Sequence, residues 1–309
     1  MRPFRFAVQV SNASSGAAWR DLARKVEELG YATLYVPDHL DDQFAPMIAM
    51  TVAAESTTTL LVGSLVLDND FRHPVVVAKE IATLDLLTEG RLEVGMGAGW
   101  MRTDYDMSGI EMDPGGTRIA RLAESLEIMT AMWTTGRATF LGDHYSVTDA
   151  VGTPPPFTKP RPTLVIGGGG KQILTLAAQQ ADIVSIIPSL AAGYIGPETA
   201  ASAVEEKFHE RVRWIKEAAG SRFDDLELQN WTVAVQVVPN GAEVRAQVAP
   251  LFNLTSEQLA GVPLALIGSV DEIVELLERR REVFGFSYVV VHEPEIEAFA
   301  PVVARLAGG

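Results

Sequence analysis

Short β-rich runs and amphipathic helical runs alternate eight times along this chain, and that alternation leaves few folds open. Phe4–Val10 reads as a strand, and Trp19, Leu22, Val26 and Leu29 then recur at helical spacing until Gly30. Further strands are predicted at Thr33–Val36, Leu60–Leu67, Arg91–Gly95, Thr163–Ile166, Ile183–Ile187, Asn230–Val238 and Ser287–His292. The matching helices are Ala45–Glu55, Pro74–Leu87, Thr117–Trp133, a segment from the Gly167–Gly170 run to Gln180, Ala200–Ala219, Val270–Phe284 and Glu295–Leu306. Gly142–Pro162 carries five prolines, which neither a helix nor a central strand tolerates, so it is expected as a long surface loop or small insertion.

Repeated βα units build a parallel sheet covered by helices, and eight of them close most simply into a (β/α)₈ TIM barrel. The rival doubly wound sheet needs a glycine fingerprint after its first strand, but Ser11–Gly16 does not supply G-x-G-x-x-G. The 309 residues would allow two domains at average size, yet one barrel with insertion segments over residues 1–309 uses them more simply.

With 40 acidic against 25 basic residues the net charge is −15, so a nucleic acid is not expected as a general partner. The absence of cysteine removes disulfides, thiolate metal sites, Fe–S clusters and a thiol nucleophile. No run approaches a membrane span or a signal peptide, and a cytoplasmic location is expected.

Function in a barrel gathers at the carboxyl ends of the strands. The second strand ends in Pro37-Asp38-His39, a carboxylate and an imidazole at the barrel mouth. His39 there is either a proton handler or a packed histidine, and Asp38 either its partner or a turn residue. Asp68, Asn69 and Asp70 after the third strand read as cap and turn residues. The fourth strand runs into Gly95-Met96-Gly97-Ala98-Gly99-Trp100, whose alternate glycines let a flat ligand or another backbone come close. The fifth ends in Gly167-Gly168-Gly169-Gly170-Lys171 and then a helix, an arrangement of free N–H groups and one positive charge suited to a phosphate or merely to a tight turn. It is not a Walker loop, because the spacing is wrong and Gln172 follows the lysine. His73, His144, His209 and His292 show no metal-ligand spacing, so no metal is expected, and G-x-S-x-G is absent.

Pro37-Asp38-His39, Gly63–Leu67, Phe71–Pro74, Leu87–Arg91, Gly95–Trp100 and Ile166–Gly170, in this order and spacing, resemble the luciferase-like monooxygenase superfamily, in its branch that uses the deazaflavin coenzyme F420. The resemblance covers nearly the whole chain and implies the same barrel. It implies that Asp38 hydrogen-bonds the cofactor, that His39 stands at its reactive face, and that a non-prolyl cis peptide at Leu65–Val66 backs the ring. It implies further that Gly97, Ala98 and Gly99 line the ring edge, that Gly169 and Gly170 bind the phosphate, and that the protein is a homodimer. Trp100 departs from the catalytic Glu of the sugar-phosphate dehydrogenases in this branch, and their substrate-phosphate lysine has no counterpart in Ile183–Leu190. That disfavours a sugar phosphate and suggests a more apolar or planar substrate, held by stacking on Trp100. The resulting expectation is a hydride-transferring oxidoreductase that uses F420 on a small or peptide-like organic molecule, in the direction of C=C, C=N or C=O reduction. An FMN-dependent monooxygenase and a non-catalytic cofactor-binding barrel are the alternatives. The anionic deazaflavin is expected to be met in this acidic protein by local positive potential from Gly167–Lys171, with Arg72 or Arg102 as further candidates.

Overall fold

A computed structural model describes residues 2–252 and 254–308. In chain order the strands and helices are β1 (Arg5–Gln9), α1 (Gly16–Glu28), β2 (Thr33–Val36), α2 (Pro46–Glu55), β3 (Leu61–Ser64), β4 (Leu67–Asp68), α3 (Pro74–Leu87), β5 (Leu92–Gly97), α4 (Arg102–Ser108) and α5 (Gly115–Thr135). They continue as β6 (Arg137–Leu141), β7 (Ser146–Val151), β8 (Thr163–Gly168), α6 (Lys171–Gln180), β9 (Ile183–Ile186), α7 (Pro197–Ala201), α8 (Glu205–Ala219), β10 (Glu227–Trp231) and β11 (Ala234–Val237). The last are α9 (Gly241–Val248), α10 (Ser256–Gly261), β12 (Ala265–Gly268), α11 (Val270–Phe284), β13 (Phe286–His292) and α12 (Ile296–Leu306).

The sheet runs β3-β2-β1-β13-β10-β9-β8-β5, all parallel, and β3 pairs with β5 to close it. This is the eight-stranded barrel, with β4 continuing β3 beyond a break and pairing with the end of β5 through Leu67 and Met96. The break is the Leu65–Val66 bond, which is cis as the sequence resemblance implied.

Local chemistry accounts for the helices. Ser15 accepts a hydrogen bond from the Ala18 N–H to start α1, which buries Trp19, Ala23 and Val26 on one stripe. α3 starts with Pro74 at its first turn, and the His73 ring caps it by accepting from the Val75 N–H. Ser269 and Glu272 form a reciprocal capping box on α11, which ends at Gly285 in the left-handed region.

Two cores result. The larger fills the space between strands and helices, from Phe4 and Phe6 round to Phe299 and Val303. The smaller lies inside the barrel and contains Ala7, Tyr35, Leu65, Val165, Ile183, Tyr288 and Val290. Beneath it, buried Glu93 accepts from the Tyr35 hydroxyl, from the Tyr288 hydroxyl at 2.8 Å and from Arg5 at 2.5 Å. This plug fills the amino-terminal end of the barrel, so an open volume can form only at the other end.

Two segments differ from expectation, and a third takes the second of its two expected forms, a small insertion. The passage 142–162 is not all loop: β6 and β7 form an antiparallel hairpin over Arg137–Val151, and the proline-rich stretch begins after it. The run predicted as one strand at Asn230–Val238 is split, because Trp231 ends β10 while β11 leaves the barrel to pair with β12 in a separate parallel sheet. The helix expected over Ala200–Ala219 is two, α7 and α8.

Candidate functional site

A cavity of about 890 Å³ opens at the carboxyl ends of the barrel strands. Asp38, His39, Leu65, Val66, the run from Gly97 to Trp100 and the run from Gly167 to Gly170 line it, whereas Lys171, Arg72 and Arg102 do not.

Pro37 turns the chain out of β2, and the two residues after it are held differently. Asp38 is buried, and its carboxylate takes both guanidinium arms of Arg72 at 2.5 and 2.9 Å and the Asp68 N–H at 2.9 Å. This bidentate pair ties the end of β2 to the end of β4 and offsets the charge of Arg72, while Asp38 still lines the cavity. His39 is half-buried, with Nδ1 2.7 Å from Oδ2 of Asp104, whose Oδ1 accepts the Leu40 N–H at 3.1 Å. A carboxylate can only accept here, so Nδ1 carries a proton and Nε2 is the ring nitrogen left for the cavity. Nε2 has no protein partner among the described residues, and Trp100 meets the ring edge-on at 5.6 Å.

The alternate glycines of β5 make room first for the protein itself. A Cβ on Gly95 would stand 1.9 Å from the Ser64 carbonyl oxygen, and one on Gly97 would stand 2.5 Å from Val66 Cγ2. Gly99 has φ +74°, and a Cβ there would meet the Tyr105 hydroxyl at 1.9 Å and the Asp68 carboxylate at 2.5 Å. The result is a flat wall in which Val66, Gly97, Ala98 and Gly99 all face the cavity. Behind it Gln9 donates from Nε2 to the Leu65 carbonyl at 3.0 Å and accepts from the Trp231 indole at 2.6 Å, fixing the bulge across the barrel.

Asp68 is the cap residue the sequence suggested, accepting from the Asp70 N–H at 2.9 Å, but it also lines the cavity. Burial, together with the charges of Asp70 and Asp38, pushes its carboxyl up to about 7 against the effect of that N–H. Both neighbouring carboxylates have arginine partners, Asp38 with Arg72 and Asp70 with Arg121 at 2.7 Å, whereas Asp68 has none among the described residues.

On the far rim, α6 begins at Gly170 with its first-turn N–H groups free of side-chain caps. A Cβ on Gly169 would meet the carbonyl oxygens of Pro188 and Ile187 at 2.2 and 2.5 Å, whereas one on Gly170 would meet nothing within 4 Å. Gly170 therefore faces open space at a helix N-terminus, the position where anions bind. Lys171 and Arg102 do not reach the cavity. The positive charge comes instead from Arg118 in the first turns of α5, which is 8% exposed, lines the cavity and lies 5.5 Å from the Tyr105 ring centre. Its Nε and Nη1 are buried without a hydrogen-bond partner. A buried guanidinium with free donors is costly unless something anionic joins it.

Sequence reasoning missed Asp104 and Arg118. Arg118 had a signal, since it shares the buried stripe of α5 with Leu122, Ser125 and Met129, where an arginine is out of place. Asp104 had none, because its role depends on α4 folding over His39. Among the described residues no three His, Cys, Asp or Glu side chains are grouped to hold a metal ion, and no helix is long and apolar enough to cross a membrane.

Comparison with known proteins adds to this geometry. The model of the luciferase-like monooxygenase family matches residues 1–259. An F420-dependent glucose-6-phosphate dehydrogenase of Nakamurella multipartita is 30% identical over 284 residues, 88% of this chain and 80% of that one. A protein of the same description from Amycolatopsis mediterranei is 34% identical over 161 residues, so that match spans about half of each chain (48% and 48%). Among solved structures, the coenzyme F420-dependent tetrahydromethanopterin reductase of Methanopyrus kandleri has the same fold, with a TM-score of 0.77 and 18% identity over 99% of both chains.

Proposed function

The chain belongs to the luciferase-like monooxygenase family, and on that premise we propose that it is an oxidoreductase using coenzyme F420 to reduce a C=C, C=N or C=O group of a small organic substrate. One observation carries the reading: a single cavity joins an anion site at Gly169, Gly170 and Arg118 to a flat glycine wall and a histidine with a free Nε2.

The residues present fit the cofactor. Its phosphate requires N–H donors and a cation, which the start of α6 and Arg118, through its free Nε and Nη1, would supply. Its flat ring requires a wall without side chains, which Gly97 and Gly99 leave beside Val66. When bound, the deazaflavin supplies a hydride at C5.

The chain's own residues do the rest. Asp104 fixes the ring of His39 so that Nε2 faces the cavity, where it can receive a proton or, once protonated, return one to the reacting group. Asp38 and Arg72 lock the two strand ends that carry His39 and the bulge. Trp100 meets the imidazole edge-on and limits the directions from which a substrate reaches it. The sugar phosphate in the names of the relatives is not carried over, because the one unpaired cation among the described lining residues, Arg118, is assigned here to the cofactor.

The family's description favours a second reading, an FMN-dependent monooxygenase, since FMN also presents a flat ring and a phosphate. Titrating cofactor-free protein with oxidised F420 and with FMN, followed by cofactor fluorescence, separates the two. Binding of F420 in preference to FMN supports the first reading, the reverse supports the second, and binding of neither leaves a non-catalytic barrel.

A further inference from the structure

The cavity is divided by charge. All its ionisable lining residues, Asp38, His39, Asp68, Asp104 and Arg118, come from the part of the chain between β2 and the start of α5. The rest of the wall is built by the segment from the end of β9 to α8, by the β10–β11 junction, and by α10 with the entry to β12. It presents Ile187, Leu190, Val204, Val233, Leu259 and Val262, and no charged side chain among the described residues. Polar side chains there are few: the Trp231 indole donates to Gln9, the Thr199 hydroxyl donates to the Tyr194 carbonyl at 3.4 Å, and Ser185 and Ser189 add two hydroxyls. This wall depends on the small β11–β12 sheet, which lies outside the eight-strand pattern.

A volume of about 890 Å³ is near the top of the roughly 300–1,000 Å³ that ligand pockets span, so it has room for a second molecule beside a cofactor. We infer that this chamber binds a neutral, largely hydrocarbon substrate, whose polar reacting group is turned toward His39. The inference rests on the cofactor occupying the side of Gly97, Gly170 and Arg118. A carboxylate or phosphate against the apolar wall would be stripped of water with no counter-charge to meet it, and each unpaired sugar hydroxyl would lower affinity roughly ten-fold. A hydrocarbon chain meets neither cost, and each methylene it buries tightens binding about four-fold.

The test measures binding of a neutral homologous series, 2-butanone to 2-decanone, by quenching of tryptophan fluorescence, since Trp100 and Trp231 line the cavity. Both the F420-loaded and the cofactor-free protein are titrated, with glucose 6-phosphate as the charged comparison. The expected result is affinity rising about four-fold per methylene until the chamber fills, with no saturable response to glucose 6-phosphate. Val233→Glu and Ala200→Glu should weaken 2-decanone binding at least ten-fold and leave F420 fluorescence titrations unmoved. Affinity independent of chain length, or glucose 6-phosphate binding as well as the ketones, overturns the inference. If the chain-length series holds while F420 fails to bind, the cofactor reading is wrong and the apolar chamber stands.

Discussion

Nδ1 of His39 lies 2.7 Å from Oδ2 of Asp104, although the two residues are 65 positions apart. The second oxygen of Asp104 holds the Leu40 N–H, so one buried carboxylate sets both the ring and the backbone that carries it. Asp104→Asn keeps the shape but offers an N–H where the imidazole also has one. The ring must then rotate or move its proton to Nε2, the atom that faces the cavity. We expect kcat to fall roughly 10–100-fold with KM little changed. Nitrogen NMR of the histidines should show the His39 proton leaving Nδ1. Unchanged turnover together with an unchanged tautomer would remove Asp104 from this role.

Arg118 sets stability against binding. Its buried Nε and Nη1 lack hydrogen-bond partners, so Arg118→Met, which keeps the length and removes the charge, should raise the melting temperature by a few degrees, corresponding to about 1–3 kcal/mol. The same change should weaken F420 binding at least ten-fold, and inorganic phosphate should no longer compete with the cofactor. Arg118→Lys should recover part of the affinity, because a point charge replaces a forked donor. A variant that loses stability and keeps its affinity would show that the guanidinium serves packing alone.

Adjacent glycines on the rim should part company under the same substitution. Gly169→Ala drives a methyl to within 2.2 Å of the Pro188 carbonyl oxygen, a backbone atom that cannot swing aside, and should cost about 2–4 kcal/mol in a denaturant titration. Gly170 has φ −97° and open space beside it, so Gly170→Ala should cost only about 0.5–1 kcal/mol as an altered helix cap. Its methyl nevertheless enters the proposed phosphate position, and F420 affinity should fall at least ten-fold. Equal effects of the two substitutions on folding would contradict the packing described.

What the sequence disclosed and what it withheld follow from range. The barrel was legible because each βα unit declares itself within about thirty residues, through a buried run, a glycine or proline stop and a helical stripe. The cavity glycines and the Asp38-His39 pair were legible because strand ends are where barrels place function. Asp104 and the Asp38–Arg72 pair were not, since they are contacts across 65 and 34 positions that no local pattern encodes. The β11 strand was misread as barrel because Trp231 to Val235 continues an apolar run without a turn residue, and only the pairing of β11 with β12 shows that the chain has left the barrel. Lys171 was expected in the site for its sequence neighbours, but as the first residue of α6 it is carried outward, and the charge comes from Arg118 on another helix.

Asp68 should make stability depend on pH in an unusual direction for an aspartate. Its carboxyl is raised from 3.8 to about 7 by burial and by the neighbouring charges of Asp70 and Asp38. A carboxyl raised in the folded state binds a proton more tightly there than in the unfolded chain. Its stabilising contribution is therefore fully present below about pH 4 and is lost as pH rises through about 7. The Tyr105 hydroxyl lies 3.3 Å from Asp68 and 3.0 Å from Asp70 and has one proton to give. With Asp70 paired to Arg121, that proton goes to Asp70, and protonated Asp68 can donate to the phenol oxygen. Asn at position 68 can make the same donation from Nδ2 and accept the Asp70 N–H with Oδ1, without any charge to desolvate. Asp68→Asn should thus match the wild type near pH 4 and exceed it above pH 7 by on the order of 2–4 kcal/mol in urea unfolding. The other paired groups nearby cancel in this difference, since both proteins contain them. A gap between the two proteins that stays constant from pH 4 to 8 would mean that Asp68 is ionised throughout, and that some cation reaches it.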